Sequence, residues 1–193
     1  MASTLRFDNW EDSNGTPILD GTNLALPSSA LPAGSVLQVV STTKTDTFST
    51  TSSSFVDVTG LSVSITPVST NSKILILLDM NITSNVTGGC GIQYRINGGN
   101  ADTFVGDAAG TRTRAIRGYR SQGSNGVQFN WRESLMPATG TFLDSPNTTS
   151  SITYSAQVQI NTNTLYVNRG DGDGDATSIT RGASSITLME IAG

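Results

Sequence analysis

Lys73-Ile-Leu-Ile-Leu-Leu-Asp-Met-Asn-Ile-Thr83 decides the fold class. Its even-numbered residues Ile74, Ile76, Leu78, Met80 and Ile82 are all apolar. Side chains two apart share one face of a strand, whereas a helix would scatter them around its axis. The segment predicts a long β-strand with an unbroken apolar face. The odd positions carry a second message. Leu75 and Leu77 are apolar, and then Asp79 and Asn81 turn polar. A strand that is apolar on both faces for half its length is expected to be covered on both sides there.

The same alternation recurs on either side. Leu61, Val63 and Ile65 alternate with Ser62, Ser64 and Thr66, and Ile152, Tyr154, Ala156, Val158 and Ile160 with Thr153, Ser155, Gln157 and Gln159. Ser185-Ile-Thr-Leu-Met-Glu-Ile191 puts Ile186 and Leu188 on one face and Met189 and Ile191 on the other. Leu75, Leu77, Met189 and Ile191 are thus expected at a contact between identical subunits. Segments 36–43, 46–50, 54–58, 61–66, 73–83, 91–97, 111–120, 127–136, 151–160, 163–168 and 184–191 compete for roughly eight to ten strand positions. Asn97-Gly98 and Asn125-Gly126 predict tight type I′ hairpins, and Gly60 and Gly88-Gly89 predict breaks. No amphipathic helix is visible. Many short strands with frequent turns predict an all-β chain, an antiparallel β-sandwich of jelly-roll type over residues 35–193.

Residues 1–34 differ in character. Turn formers such as Asn14-Gly15, Thr16-Pro17, Asp20-Gly21, Leu26-Pro27 and Leu31-Pro32 separate short apolar pieces. The segment reads as an extended N-terminal arm that docks on another surface through Phe7, Trp10, Ile18 and Leu19.

Composition removes much chemistry. Ser and Thr fill about a quarter of the 193 positions, there is no histidine, and Cys90 is the only cysteine. A Ser-His-Asp triad, a Cys-His pair and a His-bearing zinc site are impossible. A net charge of −4 with lysine only at Lys44 and Lys73 argues against nucleic acid as a partner. The longest apolar run, Ile74 to Leu78, is far too short for membrane insertion. The opening Met1-Ala-Ser-Thr-Leu-Arg-Phe-Asp8 lacks the apolar core of a secretory signal, so synthesis in a cytoplasm is expected.

What remains are weaker constellations. With three glutamates and twelve aspartates, a carboxylate pair for glycoside hydrolysis stays open as a minor alternative. Asp171, Asp173 and Asp175, alternating with glycines, form a weak calcium candidate. Ala176 and the distance to Glu190 depart from the EF-hand pattern, and the plainer reading is a solvated acidic loop with no cofactor. Arg112, Arg114, Arg117 and Arg120 crowd one segment. They suit recognition of an acidic glycan or phosphate, although ion pairing with aspartates is the plainer reading. Tyr94, Trp131, Tyr154 and Tyr166 are either sugar-stacking platforms or, more plainly, core anchors. Loops 84–90, 98–103, 121–126 and 170–178 are the expected exposed tips.

Several pieces together resemble a β-domain of tailed-bacteriophage fibre and virion proteins. They are Gly34-Ser-Val-Leu-Gln-Val-Val40, Thr45-Asp-Thr-Phe48, Phe55-Val-Asp-Val-Thr-Gly-Leu-Ser-Val-Ser-Ile-Thr-Pro67 and Ser72-Lys-Ile-Leu75, followed by Gly106-Asp-Ala-Ala-Gly-Thr-Arg-Thr-Arg114, Phe142-Leu-Asp-Ser-Pro146, Tyr166-Val-Asn-Arg169 and Ser185-Ile-Thr-Leu-Met-Glu-Ile191. The resemblance spans about residues 34–193 and brings no site residues with it. It implies a non-enzymatic virion structural protein, a homotrimer that contacts other phage virion proteins. Within that class, the expectation is a short tail fibre or fibre tip that attaches to host surface glycan. The alternative is a capsid decoration, cement or head-fibre protein.

Overall fold

A computed structural model of the chain describes residues 9–11, 17–20, 23–24, 31–85, 90–120 and 134–193. Three short strands, β1 (Asn9–Glu11), β2 (Pro17–Asp20) and β3 (Asn23–Leu24), form a small antiparallel sheet of their own. Trp10 pairs with Leu19, and Leu19 with Leu24. The described part of the arm is therefore not merely extended, since its three strands pair with one another. Phe7 lies outside the described residues.

The body contains β4 (Val36–Lys44), β5 (Phe48–Thr50), β6 (Val56–Ile65), β7 (Lys73–Ser84), β8 (Gly91–Asn97), β9 (Arg117–Arg120), β10 (Met136–Asp144), β11 (Ile152–Ile160), β12 (Leu165–Val167) and β13 (Ser184–Ile191). The front sheet runs β4-β13-β7-β10, and the back sheet runs β6-β11-β8-β9. Setting aside the short β5 and β12, the eight main strands in chain order take positions 1-8-3-6 in front and 2-7-4-5 behind. That is the double Greek key of a jelly roll. All pairings are antiparallel. The expected all-β jelly-roll sandwich is what the chain forms.

The inward positions of β7 are fully buried, as its alternation predicts. Ile74, Ile76, Met80 and Ile82 are 0 % exposed, and they pack with Ile186 and Leu188 of β13 against Ile92 and Ile96 of β8 and Ala156, Val158 and Ile160 of β11. Burial of one such aliphatic side chain contributes about 1.5–3 kcal/mol, so this layer is the main source of stability.

One edge of β7 is shared end to end by β13 and β12, which pair with its first and last residues respectively. Asn168 fills the gap between them with φ +64°, fully buried. Its backbone N–H donates to Asn81 O at 3.0 Å, its Nδ2 to Lys44 O at 2.8 Å and Asp46 O at 3.1 Å, and its Oδ1 accepts from Ser184 Oγ at 2.6 Å. Ser184 Oγ in turn accepts from Asn81 N at 3.0 Å. A short polar side chain that tolerates positive φ and offers both donors and acceptor suits this position.

Three tyrosines join the back sheet to β10. Tyr94 of β8 donates to Thr139 O at 2.9 Å, Tyr119 of β9 donates to Pro137 O, and Tyr154 of β11 donates to Asp144 Oδ2 at 2.6 Å. Asp144 also accepts from Asn100 N and Nδ2, so this buried carboxylate is fully hydrogen-bonded. Burial, then the bond to the Asp144 carboxylate, raises the Tyr154 pKa well above its ordinary value. Burial likewise raises that of Tyr94.

Several expected elements came out differently. Segments 54–58 and 61–66 merge into β6, which runs through Gly60 at φ +82°. The register against β11 shifts there, so the glycine bends a strand instead of ending it. Asn97-Gly98 makes no tight hairpin, and β8 reaches β9 only through a long loop that includes a short 3-10 turn at Ala101–Phe104. Gly98 and Gly99 are needed for close approach instead. A Cβ on the first would strike the Thr153 carbonyl, and one on the second the Asp144 and Tyr154 side chains. Only Arg117–Arg120 of segment 111–120 is strand. Residues 106–115 form a loop closed by Gly106 N to Ala115 O at 3.2 Å. Of the described residues of segment 127–136, only Met136 falls in a strand, and residues 127–133 and Asn125-Gly126 lie outside the described residues. β10 carries Pro137 and Gly140, which suit an edge strand and masked it in the sequence.

Candidate functional site

The outer faces of the two sheets are the surfaces available to a partner. On the front sheet, register places Val39, Met189, Leu75 and Leu143 side by side across β4, β13, β7 and β10. Ile191 sits beside Val36 one row away, and Leu77 lies in the next row on the other side. Val36, Val39 and Leu143 are each 52 % exposed, while Leu75, Leu77, Met189 and Ile191 are half-buried by their neighbours. Further along, the rows turn polar: Ser41, Thr187, Leu77 and Thr141, then Thr43, Ser185, Asp79 and Thr139. The structure thus brings together all four residues whose double-faced strands pointed to a contact. It adds Val36, Val39 and Leu143, which only the strand register could reveal.

The back sheet presents the opposite chemistry. Across β6, β11 and β8 the outward residues are Ser62, Ser155 and Asn97 in one row and Asp57, Gln157 and Arg95 in the next. They are linked side chain to side chain. Arg95 Nε donates to Gln157 Oε1 at 2.8 Å, Gln157 Nε2 to Asp57 Oδ1 at 2.9 Å and Ser155 Oγ to Asp57 Oδ1 at 2.8 Å. The Arg95 guanidinium lies 4.4 Å above the Phe55 ring. The ladder continues through Gln159, whose Nε2 donates to Gln93 Oε1 at 3.1 Å and Thr113 Oγ1 at 3.4 Å.

Beyond Gln93 the ladder opens into a groove of about 430 Å³, walled by the 106–115 loop and the start of β9. Gln93, Asp107, Arg112, Thr113, Arg114 and Arg117 supply its polar lining. Arg114 is held by its Nε bond to Gly106 O at 2.8 Å, and Arg112 leans on Ala109 O. A hydrogen bond with Tyr119, and the nearby ring of Tyr94, raise the Arg117 pKa further above its already high value. The plainer sequence reading paired these arginines with aspartates. Among the described residues, neither Arg112 nor Arg117 makes an ion pair. Arg112 and Arg114 come from a loop, since residues 111–116 are not strand, whereas Arg117 pairs with Tyr94 in β9 and shares with Tyr119 the face that a strand gives it.

Other candidates are placed elsewhere. Asp173 is gripped by Arg169 at 3.1 Å and Arg181 at 2.7 Å, and Arg169 stacks 4.0 Å over Tyr166. Among the described residues no three acidic, histidine or cysteine side chains are gathered to hold a metal, so Asp171, Asp173 and Asp175 do not converge into a calcium site. Loop 170–178 is tied down by that double ion pair instead of being freely solvated. Tyr94 and Tyr154 are fully buried and cannot stack on a ligand. Trp131, loop 121–126 and residues 86–89 of loop 84–90 lie outside the described residues. The start of loop 98–103 packs on Asp144, since Asn100 donates to both carboxylate oxygens.

No family model matches the chain, and no curated protein matches its sequence. Among solved structures it is similar to the VP2 subviral particle of infectious bursal disease virus. That likeness has 14% identity and a TM-score of 0.35, over 80% of this chain and 38% of that one. A structure of the Gt strain of the same virus gives 14% identity and a TM-score of 0.34 over 90% and 42%. The chain therefore spans well under half the length of these solved chains. Scores this low carry no argument, and the fold rests on the strand order above.

Proposed function

We propose that this chain is a structural protein of a tailed-bacteriophage virion, working as a homotrimeric short tail fibre or fibre tip that meets the host surface. The observation that carries the assembly part is the apolar row Val39, Met189, Leu75 and Leu143 with its neighbours Val36, Ile191 and Leu77. Covering a half-exposed Val or Leu contributes on the order of 1 kcal/mol, and three such side chains with four partly exposed apolar neighbours in one patch favour self-association. A second copy of the chain fits because the patch spans all four strands at one end of the sheet and gives way to Ser, Thr and Asp rows further along, an apolar area with a polar margin. The virion part is supported by the sequence pieces that resemble phage fibre domains. Several of these pieces fall within β4, β6, β7 and β13, the strands that build the jelly roll.

Two measurements test the reading. Multi-angle light scattering at micromolar concentration is expected to give three times the chain mass, and a clean monomer overturns the assembly. Gold-labelled antibody to the protein, viewed by electron microscopy on intact particles, is expected at the tail. Labelling on the head replaces the tail-fibre reading with that of a capsid decoration, cement or head-fibre protein.

A further inference from the structure

We propose that the front sheets of neighbouring copies are locked head to tail by an ion pair between Lys73 of one copy and Asp79 of the next, closing a ring of three. The inference rests on the assembly reading above and adds its orientation, namely which end of the apolar patch meets which.

Three observations carry it. First, charge on the front face is confined to two positions. Among the outward residues of β4, β13, β7 and β10, Lys73 and Asp79 are the only charged ones. Lys44, Asp144 and Glu190 of the same strands are buried on the inner side. Second, the two charges lie at opposite ends of the apolar area. Lys73 stands beside Ile191, which pairs with Val36, and Asp79 stands in the row of Thr43, Ser185 and Thr139. Leu75 and Leu77 come between them on β7. The strand between Lys73 and Asp79 spans about 20 Å, beyond the reach of an ion pair within one copy. Third, both are exposed, and among the described residues neither makes an ion pair. A second copy laid on the patch draws Lys73 into the contact, because Ile191 and Val36 beside it are part of what is covered. An ammonium group that loses water there needs an acidic partner. The neighbour's front face supplies one acid, Asp79. Copies stacked in the same direction would set Lys73 on Lys73 and Asp79 on Asp79, which repels at both ends. A head-to-tail contact pairs them instead. Each copy then offers its Lys73 end to one neighbour and its Asp79 end to the other. That is the heterologous contact a closed ring requires, and a ring of three leaves no charge on this face without a partner.

A charge exchange in the full-length protein tests the pairing, with light scattering and sedimentation read over a concentration series. Lys73→Asp sets two acids against each other at every contact, and it should weaken assembly about tenfold or more with an unchanged circular dichroism spectrum. Asp79→Lys sets two lysines together and should do the same. Lys73→Asp combined with Asp79→Lys restores opposite ends with their signs exchanged. That double variant should recover assembly to within about threefold of the parent. The pairing alone is overturned if the parent is trimeric and either single variant assembles as tightly as it does. It is overturned in the same way if the double variant assembles no better than the singles. A parent that runs as a monomer or a dimer overturns the assembly reading and the pairing with it.

Discussion

Across the front sheet the outward side chains read Val39, Met189, Leu75 and Leu143, while across the back sheet they read Asp57, Gln157 and Arg95. Both rows rest on the same period-two alternation, and both stand over the same core. The difference is in what each leaves unsatisfied. Asp57, Gln157 and Arg95 complete one another with hydrogen bonds inside a single copy. The front row has no comparable internal solution, because apolar surface is relieved only by being covered. Following the hydrogen bonds along a strand's second face thus separates polar side chains satisfied within one copy from apolar ones left at the surface.

The sharpest way to break the comparison is to place charge on the front row. Leu75→Asp with Met189→Asp should convert the proposed trimer entirely to monomer in light scattering with the circular dichroism spectrum unchanged. Ser62→Asp on the back face should leave the mass unaltered. Equal behaviour of the two variants would remove the distinction between the faces.

A smaller effect separates buried polar groups from surface ones. Asn168→Ala strands Lys44 O, Asp46 O and the Ser184 hydroxyl and puts alanine at positive φ, at a cost of about 3 kcal/mol. Gln157→Leu on the back ladder should cost less than about 1 kcal/mol. Urea unfolding of both variants measures the gap.

The smallest expected effect is a pH dependence that acts on the links between the two sheets. Tyr94 and Tyr154 have pKa values raised in the fold above the ordinary 10.0, and buried Cys90 above 9.0. Groups of this sign bind protons more tightly folded than unfolded. Their contribution is complete below the unfolded value and is lost as pH rises toward the folded one. The urea midpoint should hold steady to about pH 9 and fall beyond about pH 10, with Tyr154→Phe showing a lower plateau and a shallower fall. An alkaline limb as steep as the parent's would detach Tyr154 from the effect.

How far the sequence could be read depended on whether a residue's role is local. Ile74 to Ile82 and Ile152 to Ile160 announce buried strands because burial follows period two along the chain itself. β10 was hidden because Pro137 and Gly140 are tolerated only at an edge, and edge position is a property of the whole sheet. Asn97-Gly98 misled because its glycines answer to the Thr153 backbone and the Asp144 carboxylate, far away in sequence. Leu75, Leu77, Met189 and Ile191 were legible as double-faced positions, whereas Val39 and Leu143 join them only through cross-strand register. The arginine groove was half visible. The cluster is plain in the sequence, but that Arg112 and Arg114 line a groove while Arg117 turns to Tyr119 depends on residues 111–116 forming a loop and 117–120 a strand.

The tyrosine bonds to β10 have a consequence for how copies can meet. β10 is the last main strand of the front sheet, and the carbonyls of Pro137 and Thr139 receive the Tyr119 and Tyr94 hydroxyls. Pro137 offers no N–H there at all. An added strand would find those positions along this margin already sealed, so sheet-to-sheet extension from one molecule to the next is blocked at its natural starting point. Growth without limit is closed off on that side. The proposed homotrimer would then be built face to face, a closed and finite cluster.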